Sequence, residues 1–284
     1  MDLSLGIITY KDKNLEKLLI SIKNQNLKET RIKEIIFICS KKDRKHINRL
    51  VQKQKISKTI ILVEDKRRGK YSAVNLFLKK AKSKILVACS GDIILHENAI
   101  EELCMPFKDK KTGIIASNPI PQNLDLKKPL DYTIGLLWEL HHNISLITPK
   151  FGELIAFRNL KFKLPKTTVD EEMIAHIIYS KGYKGVYAEK SIIYNKGPKT
   201  VRDYIKQRRR IYCGHLQLRK NHNYVVQTLN NSKIFSLVLK KELFTNRKMF
   251  MSIYAVILEG ISRLLGYLDF LFSKEYSIWE IIDK

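Results

Sequence analysis

Residues 59–95 read TIILVEDKRRGKYSAVNLFLKKAKSKILVACSGDIIL, and the fold turns on them. Thr59–Val63 is a β-branched apolar run of strand length. Gly69 then opens Lys70–Ala81, whose apolar residues Ala73, Val74, Phe77, Leu78 and Ala81 share one helical face. Ile85–Cys89 is a second strand-like run. Strand, helix and strand in that succession make a parallel crossover unit. The apolar run breaks at Ser90-Gly91-Asp92 and resumes at Ile93. A carboxylate just past a buried parallel strand stands where open α/β sheets bind ligands, and it offers a hard oxygen to Mg²⁺ or Mn²⁺. The same three residue types also make ordinary turns.

The rhythm continues toward the amino terminus, with strands expected at Leu3–Thr9 and Glu34–Cys39 and helices at Asn14–Lys23 and Asp43–Gln54. The succession predicts an α/β fold: a Rossmann-like, mostly parallel sheet with helices on both faces. Past Glu97 the pattern loosens. A short helix over Glu97–Met105 precedes a strand at Gly113–Pro119, and Pro119, Pro121 and Pro129 mark an irregular connection. Further helices are expected at Asp131–Leu146 and Asp170–Ser180, the latter stopping at Gly182, with a strand at Gly152–Phe157 between them. Strand pieces at Gly185–Ala188 and Ser191–Tyr194 precede a basic helix from Thr200 past His215. One domain is expected over residues 1–216, in two halves, 1–95 and 96–216. Residues 217–284 are expected to form a helical segment that packs or associates with a membrane.

Lys and Arg number 53 against 28 Asp and Glu, a net charge of +25 spread along the chain. Such a field attracts phosphorylated ligands, anionic lipid headgroups or nucleic acid. No RNP-like aromatic pattern, zinc finger or basic heptad region accompanies it, so nucleic acid is not expected as a partner. The four cysteines, Cys39, Cys89, Cys104 and Cys213, lack metal-ligand spacing. No signal-peptide pattern opens the sequence, and a cytoplasmic setting is expected, peripheral to or anchored at the membrane. Met249–Phe272 is long enough to cross a bilayer but carries Glu259, Arg263 and Asp269. On a helix these fall on one side with Ser252 and Ser262, leaving a broad apolar face. With Lys240, Lys241, Arg247 and Lys248 just before it, the segment suits a membrane interface, a core-packed helix or a span, in that order.

Further chemistry-bearing segments accompany Ser90–Asp92. Gly69-Lys70 at a helix start can receive phosphate oxygens, although the P-loop spacing is absent. Asp170 and Glu171 stand in a first helical turn, where acids either complement the helix dipole, with Thr168 as a capping residue, or act as a general base. Gln207, Arg210 and Gly214 share a face of the basic helix, which leaves Arg208 or Arg209 in water. Arginine's planar fork suits a diphosphate.

Taken in order, these segments resemble family-2 glycosyltransferases of the GT-A fold. Ser4–Tyr10 is similar to their first strand and nucleotide-contacting turn, and Gly69–Asn75 to their "GKxxALN" helix start. Ser90-Gly91-Asp92 sits where they carry DxD, and Gly152–Arg158 resembles their "G-x-x-x-A-F-R" strand. Asp170-Glu171 stands at their ED base motif, and Gln207–Ile211 looks like the QxxRW of membrane-linked members. The resemblance implies an inverting, metal-dependent transferase that takes a UDP- or GDP-sugar and a lipid-linked or glycan acceptor. It implies Asp170 or Glu171 as the base, and Thr9, Tyr10, Glu64, Lys70, Ser90, Asp92, Gln207 and Arg210 on the donor side. Glu153 and Arg158 are implied on the acceptor side, with Mg²⁺ or Mn²⁺ on Asp92 and a further metal contact from His215. Ser90 replaces the first Asp of DxD, Ile211 replaces the Trp of QxxRW, and Cys39-Ser40 stands where an acid usually follows the second strand. Glu64 or Asp65 is the substitute for that acid. Rival readings are a non-catalytic binding protein of the same fold and a sugar-phosphate nucleotidyltransferase. The latter should open with a "GxGxR" loop, where Thr9–Lys13 stands.

Overall fold

The computed structural model describes residues 1–229 and 246–278. Two compact units partition the chain. Unit 1 takes Met1–Ile120, Phe151–Lys166 and Asp170–Asn195; unit 2 takes Pro121–Lys150, Thr167–Val169 and Lys196–Lys284. The basic helix and the carboxyl-terminal helix both fall in unit 2. Lys240 and Lys241 lie outside the described residues.

Unit 1 is built on an eight-stranded sheet in the order β3-β2-β1-β4-β7-β6-β8-β5. Its strands are β1 (Asp2–Ile8), β2 (Arg31–Ser40), β3 (Thr59–Glu64), β4 (Ile85–Ser90), β5 (Ile94–Leu95), β6 (Thr112–Pro121), β7 (Leu154–Arg158) and β8 (Lys184–Asn195). The parallel order expected from sequence holds for β3, β2, β1 and β4. Beyond β4 the sheet turns antiparallel, with β7 on β4 and β6 on β7. The two strand pieces expected after Gly182 are one strand, β8, whose far end pairs antiparallel with β5.

Helices α1 (Leu15–Lys23), α2 (Arg44–Lys53), α3 (Lys70–Lys80), α4 (Ala99–Cys104) and α6 (Asp170–Ser180) complete unit 1. Leu3, Leu5, Ile7, Phe37 and Val87 form one core with α1, α2 and α4. On the opposite face Phe77 of α3 lies flat on Gly6, where a Cβ would come within 2.7 Å of its ring. Strands covered on both faces read as unbroken apolar runs, which is why the sequence shows them so plainly.

In unit 2, α5 (Pro129–Ile147), α7 (Val201–His222) and α8 (Asn246–Leu271) pack around Ile134, Tyr204 and Leu258. Glu259 and Arg263, four residues apart on α8, form an ion pair at 2.9 Å. Glu259 also receives both forks of Arg208 at 2.7 and 2.9 Å and the Tyr204 hydroxyl at 3.1 Å. Arg209 pairs with Asp269. Both arginines are paired, Arg209 while still 31% exposed, because the acids that answer them lie on a helix far along the chain.

Candidate active site

In unit 1 the strand order places β1 between β2 and β4, so the chain reverses its winding at β1. The crevice at the carboxyl ends of β1 and β4 is the topological switch point of the sheet. Ile8 is in register with Ser90 and with Ile38, and Ser40 with Glu64. Thr9, Tyr10, Glu64, Ser90 and Asp92 therefore line one edge.

At that edge the Gly91 N–H donates to the Ile8 carbonyl at 3.0 Å. A Cβ on Gly91 would stand 2.4 Å from Asp12 Oδ2 and 2.8 Å from Thr9 Oγ1, so only glycine lets the turn close against them. Asp12 thereby flanks Gly91 from the β1 side, with Asp92 next in the chain. Its carboxylate accepts the Tyr10 N–H at 3.1 Å. The Asn14 side chain donates to the Asp92 carbonyl at 3.4 Å, tying the two loops together. Arg67 lies over the Tyr10 ring, 4.3 Å from its centroid. Asp12 and Arg67 went unmarked in the sequence, since an acid in Thr9–Lys13 has no motif spacing and Arg67 is one cation among many.

Gly69 enters α3 at φ 107, a left-handed value that requires glycine. Lys70 then reaches Asp170 Oδ2 at 3.4 Å and pairs with Glu171. The carboxylates expected either to cap a helix or to act as a base are thus gripped by the lysine expected to hold phosphate. Burial pulls the Lys70 ammonium down, but Asp170, Glu171 and Glu153 outweigh it and hold its pKa above the ordinary value. Burial and the neighbouring Glu171 push Asp170 up, while Lys70 overcomes burial at Glu171 and draws it down. Two acids and one cation in so dry a place favour a proton held close to the pair.

Glu153 joins this group through a turn. Its φ is 58, and the Leu154 N–H reaches back to the Gly152 carbonyl at 2.7 Å. Its own carbonyl accepts the Ser90 N–H at 3.3 Å, which fixes the turn to the end of β4. The buried Cys89 thiol is pushed up by desolvation and then by Asp92, Glu153 and Asp12, with Lys70 opposing them. A carboxylate-rich field surrounds the end of β4. Asp92 and Asp12, on either side of Gly91, are the residues that could offer oxygen ligands to a hard divalent cation. Among the described residues no three His, Cys, Asp or Glu side chains gather as a protein-only metal cage.

The structure does not bring Arg158 to this edge. β7 runs against β4, so Glu153 lies near Ser90 while Arg158 pairs with Ile85 at the opposite end. There its guanidinium donates to the carbonyls of Thr112, Asp109 and Phe107 at 2.7, 3.2 and 3.4 Å. The motif spacing gives no strand direction, and Arg158 stands at the end of β7 away from Ser90.

In unit 2, Gln207 and Arg210 are half-buried on α7 and His215 is buried. Burial, then Lys150, Arg208 and Arg263, holds the His215 ring well below its ordinary pKa, with Glu259 opposing, so it stays neutral. Neutral imidazole is the form that ligates metal. The Thr168 hydroxyl donates to Gln217 Oε1 at 3.5 Å.

Solved structures share this architecture. The mannosyltransferase PcManGT from Pyrobaculum calidifontis, in complex with GDP-Man and Mn²⁺, is 18% identical with a TM-score of 0.60, over 98% of this chain and 76% of that one. S. aureus TarS is 14% identical with a TM-score of 0.52, over 97% of this chain and 49% of that one, so the chain spans about half of its length. TarS 1-349 in complex with UDP-GlcNAc is 13% identical with a TM-score of 0.52, over 97% and 82%. No curated protein matches. The sequence profile of Glycosyl transferase family group 2 matches residues 163–273. That of Glycosyl transferase family 2 matches residues 4–172, more than half of the chain, and with the GT-A-like sheet it identifies the protein as a member of this glycosyltransferase family.

Proposed function

We propose that the protein transfers a sugar from a nucleoside-diphosphate sugar to an acceptor hydroxyl, with inversion at the anomeric carbon. The observation that carries this reading is the convergence of Lys70, Asp170, Glu171 and Glu153 beside the switch-point edge that bears Asp92 and Asp12. The similar structures in complex with GDP-Man and Mn²⁺ and with UDP-GlcNAc support the donor class and a divalent cation.

Asp92, with Asp12 across Gly91, would hold Mg²⁺ or Mn²⁺, which would supply positive charge against the diphosphate. Thr9, Tyr10, Ser90 and Glu64 end the strands that form the crevice and take the nucleoside. Lys70 divides its charge between the acids and the incoming phosphates. The Asp170–Glu171 pair takes the acceptor proton, and its burial keeps a carboxylate basic enough for that task. A hydroxyl so activated, aligned behind the anomeric carbon, gives single displacement with inversion. Gln207, Arg210 and His215 keep their roles as diphosphate and metal contacts on the strength of the QxxRW-like spacing. The acceptor is read as lipid-linked or a membrane-proximal glycan, from the basic surface and the apolar last helix.

The test is release of nucleoside diphosphate from a panel of UDP- and GDP-sugars, with and without Mn²⁺. Turnover of at least one donor by the wild type, abolished in Asp92→Ala, is expected. Absence of release from every donor, with lipid extract supplied as acceptor, would sink the assignment.

A further inference from the structure

Helix α8 is turned inside out for a helix that meets water. Besides Ala255 and Leu258, the residues it presents to its neighbours are polar: Ser252 meets the Tyr132 hydroxyl at 3.0 Å, and Glu259 and Asp269 take Arg208 and Arg209. Its outward arc is apolar. Phe250 is 71% exposed, Val256 61%, Ile257 55%, Leu264 60% and Leu271 55%. Between Phe250 and Leu271 every exposed position is apolar or glycine, with no charged residue among them. A helix of 26 residues is about 39 Å long, so the stripe is far larger than the apolar patches of ordinary water-facing surfaces.

We propose that this stripe seats in the interface of an anionic membrane, with α8 lying along the surface and not crossing it. Charge selects a lipid occupant over a second apolar protein. The chain carries +25, Lys220 stands 5.7 Å from the Phe270 ring, and Lys274 follows the end of the helix. Anionic headgroups beside an apolar seam satisfy both features at once.

The orientation follows from α7. Met249–Leu271, with a mean hydropathy of 1.4, is long and apolar enough to cross. Yet α7 runs beside it in the same direction, with residues 204 and 208 on 259, 209 on 269, and 217 on 274. A crossing α8 would drag the exposed Arg202, Arg219 and Lys220 of α7 into hydrocarbon. Lying flat leaves those charges at the headgroups and buries the stripe alone.

The experiment is co-flotation of the full chain with vesicles of phosphatidylcholine alone or mixed with a third phosphatidylglycerol. Binding to the anionic vesicles, weakened by salt and released by alkaline carbonate, is expected. Val256→Glu with Leu264→Glu should lower vesicle affinity about tenfold or more per side chain. Val256→Met with Leu264→Met should bind as the wild type does, and circular dichroism confirms that each variant is folded. Any of four results overturns the proposal: no flotation with either vesicle, flotation of the glutamate variant equal to wild type, resistance to carbonate, or a dimer dispersed by the glutamates without vesicle binding.

Discussion

Replacing Lys70 by methionine removes the cation that holds two buried carboxylates apart in their affinity for protons. The side chains of Lys70 and Asp170 are 16% and 4% exposed, and their charged atoms lie 3.4 Å apart. At an effective dielectric of about 20 that separation gives a gross attraction of about 5 kcal/mol, a ceiling of about three and a half pH units. Water entering the space left by the ammonium reduces the effect, and a shift of about one to two units is expected. The sign is fixed by the charges. Lys70 favours the ionised acids, so its loss raises the pKa of the pair and moves the acidic limb of the kcat/KM profile to higher pH. Nucleoside diphosphate release followed between about pH 5 and pH 9 measures that limb. Lys70→Arg keeps the charge and should return the limb most of the way. A methionine variant that is folded by circular dichroism, yet whose limb is unmoved or shifted downward, refutes the coupling.

Asp92→Ala should remove the Mn²⁺ dependence of donor binding by calorimetry, and unchanged affinity would take Asp92 out of the site; Asp12→Asn should weaken it about tenfold. Burial raises the Glu259 carboxyl, but Arg208 and Arg263 outweigh it and pull it from 4.5 down to about 2. Its contribution, about 3 kcal/mol, is therefore complete above pH 4.5 and lost as pH falls toward about 2. Urea unfolding followed by Trp138 fluorescence should show that acid dependence in the wild type and not in Glu259→Gln; parallel curves would argue against it. Arg158→Met strands three carbonyl acceptors and should cost about 2 kcal/mol of stability with donor KM unchanged. Wild-type stability with lost turnover would return Arg158 to the acceptor side.

The parallel half of the sheet was legible because strands buried on both faces write unbroken apolar runs, as in Ile35–Cys39 and Ile85–Cys89. The Ser90–Asp92 step was legible because a run that stops at a carboxylate is rare in such a context. Strand direction was not, and that is how Glu153 and Arg158, neighbours in one motif, came to lie at opposite ends of the sheet. Asp12 could be found only from three dimensions, since its significance is its approach to Gly91. Arg208 and Arg209 resembled a solvated basic run until the acids of α8 were set against them. Local periodicity carries the elements; long-range electrostatic pairing is invisible to it.

The arginine–acid contacts between α7 and α8 bind the histories of the two helices together. A lineage that shed its last helix would inherit guanidinium groups with nothing to answer them, and would have to rewrite Arg208 and Arg209 in the same stroke. Descendants lacking α8 should therefore carry smaller or uncharged residues at those two positions, and chimaeras that exchange one helix alone should fold poorly.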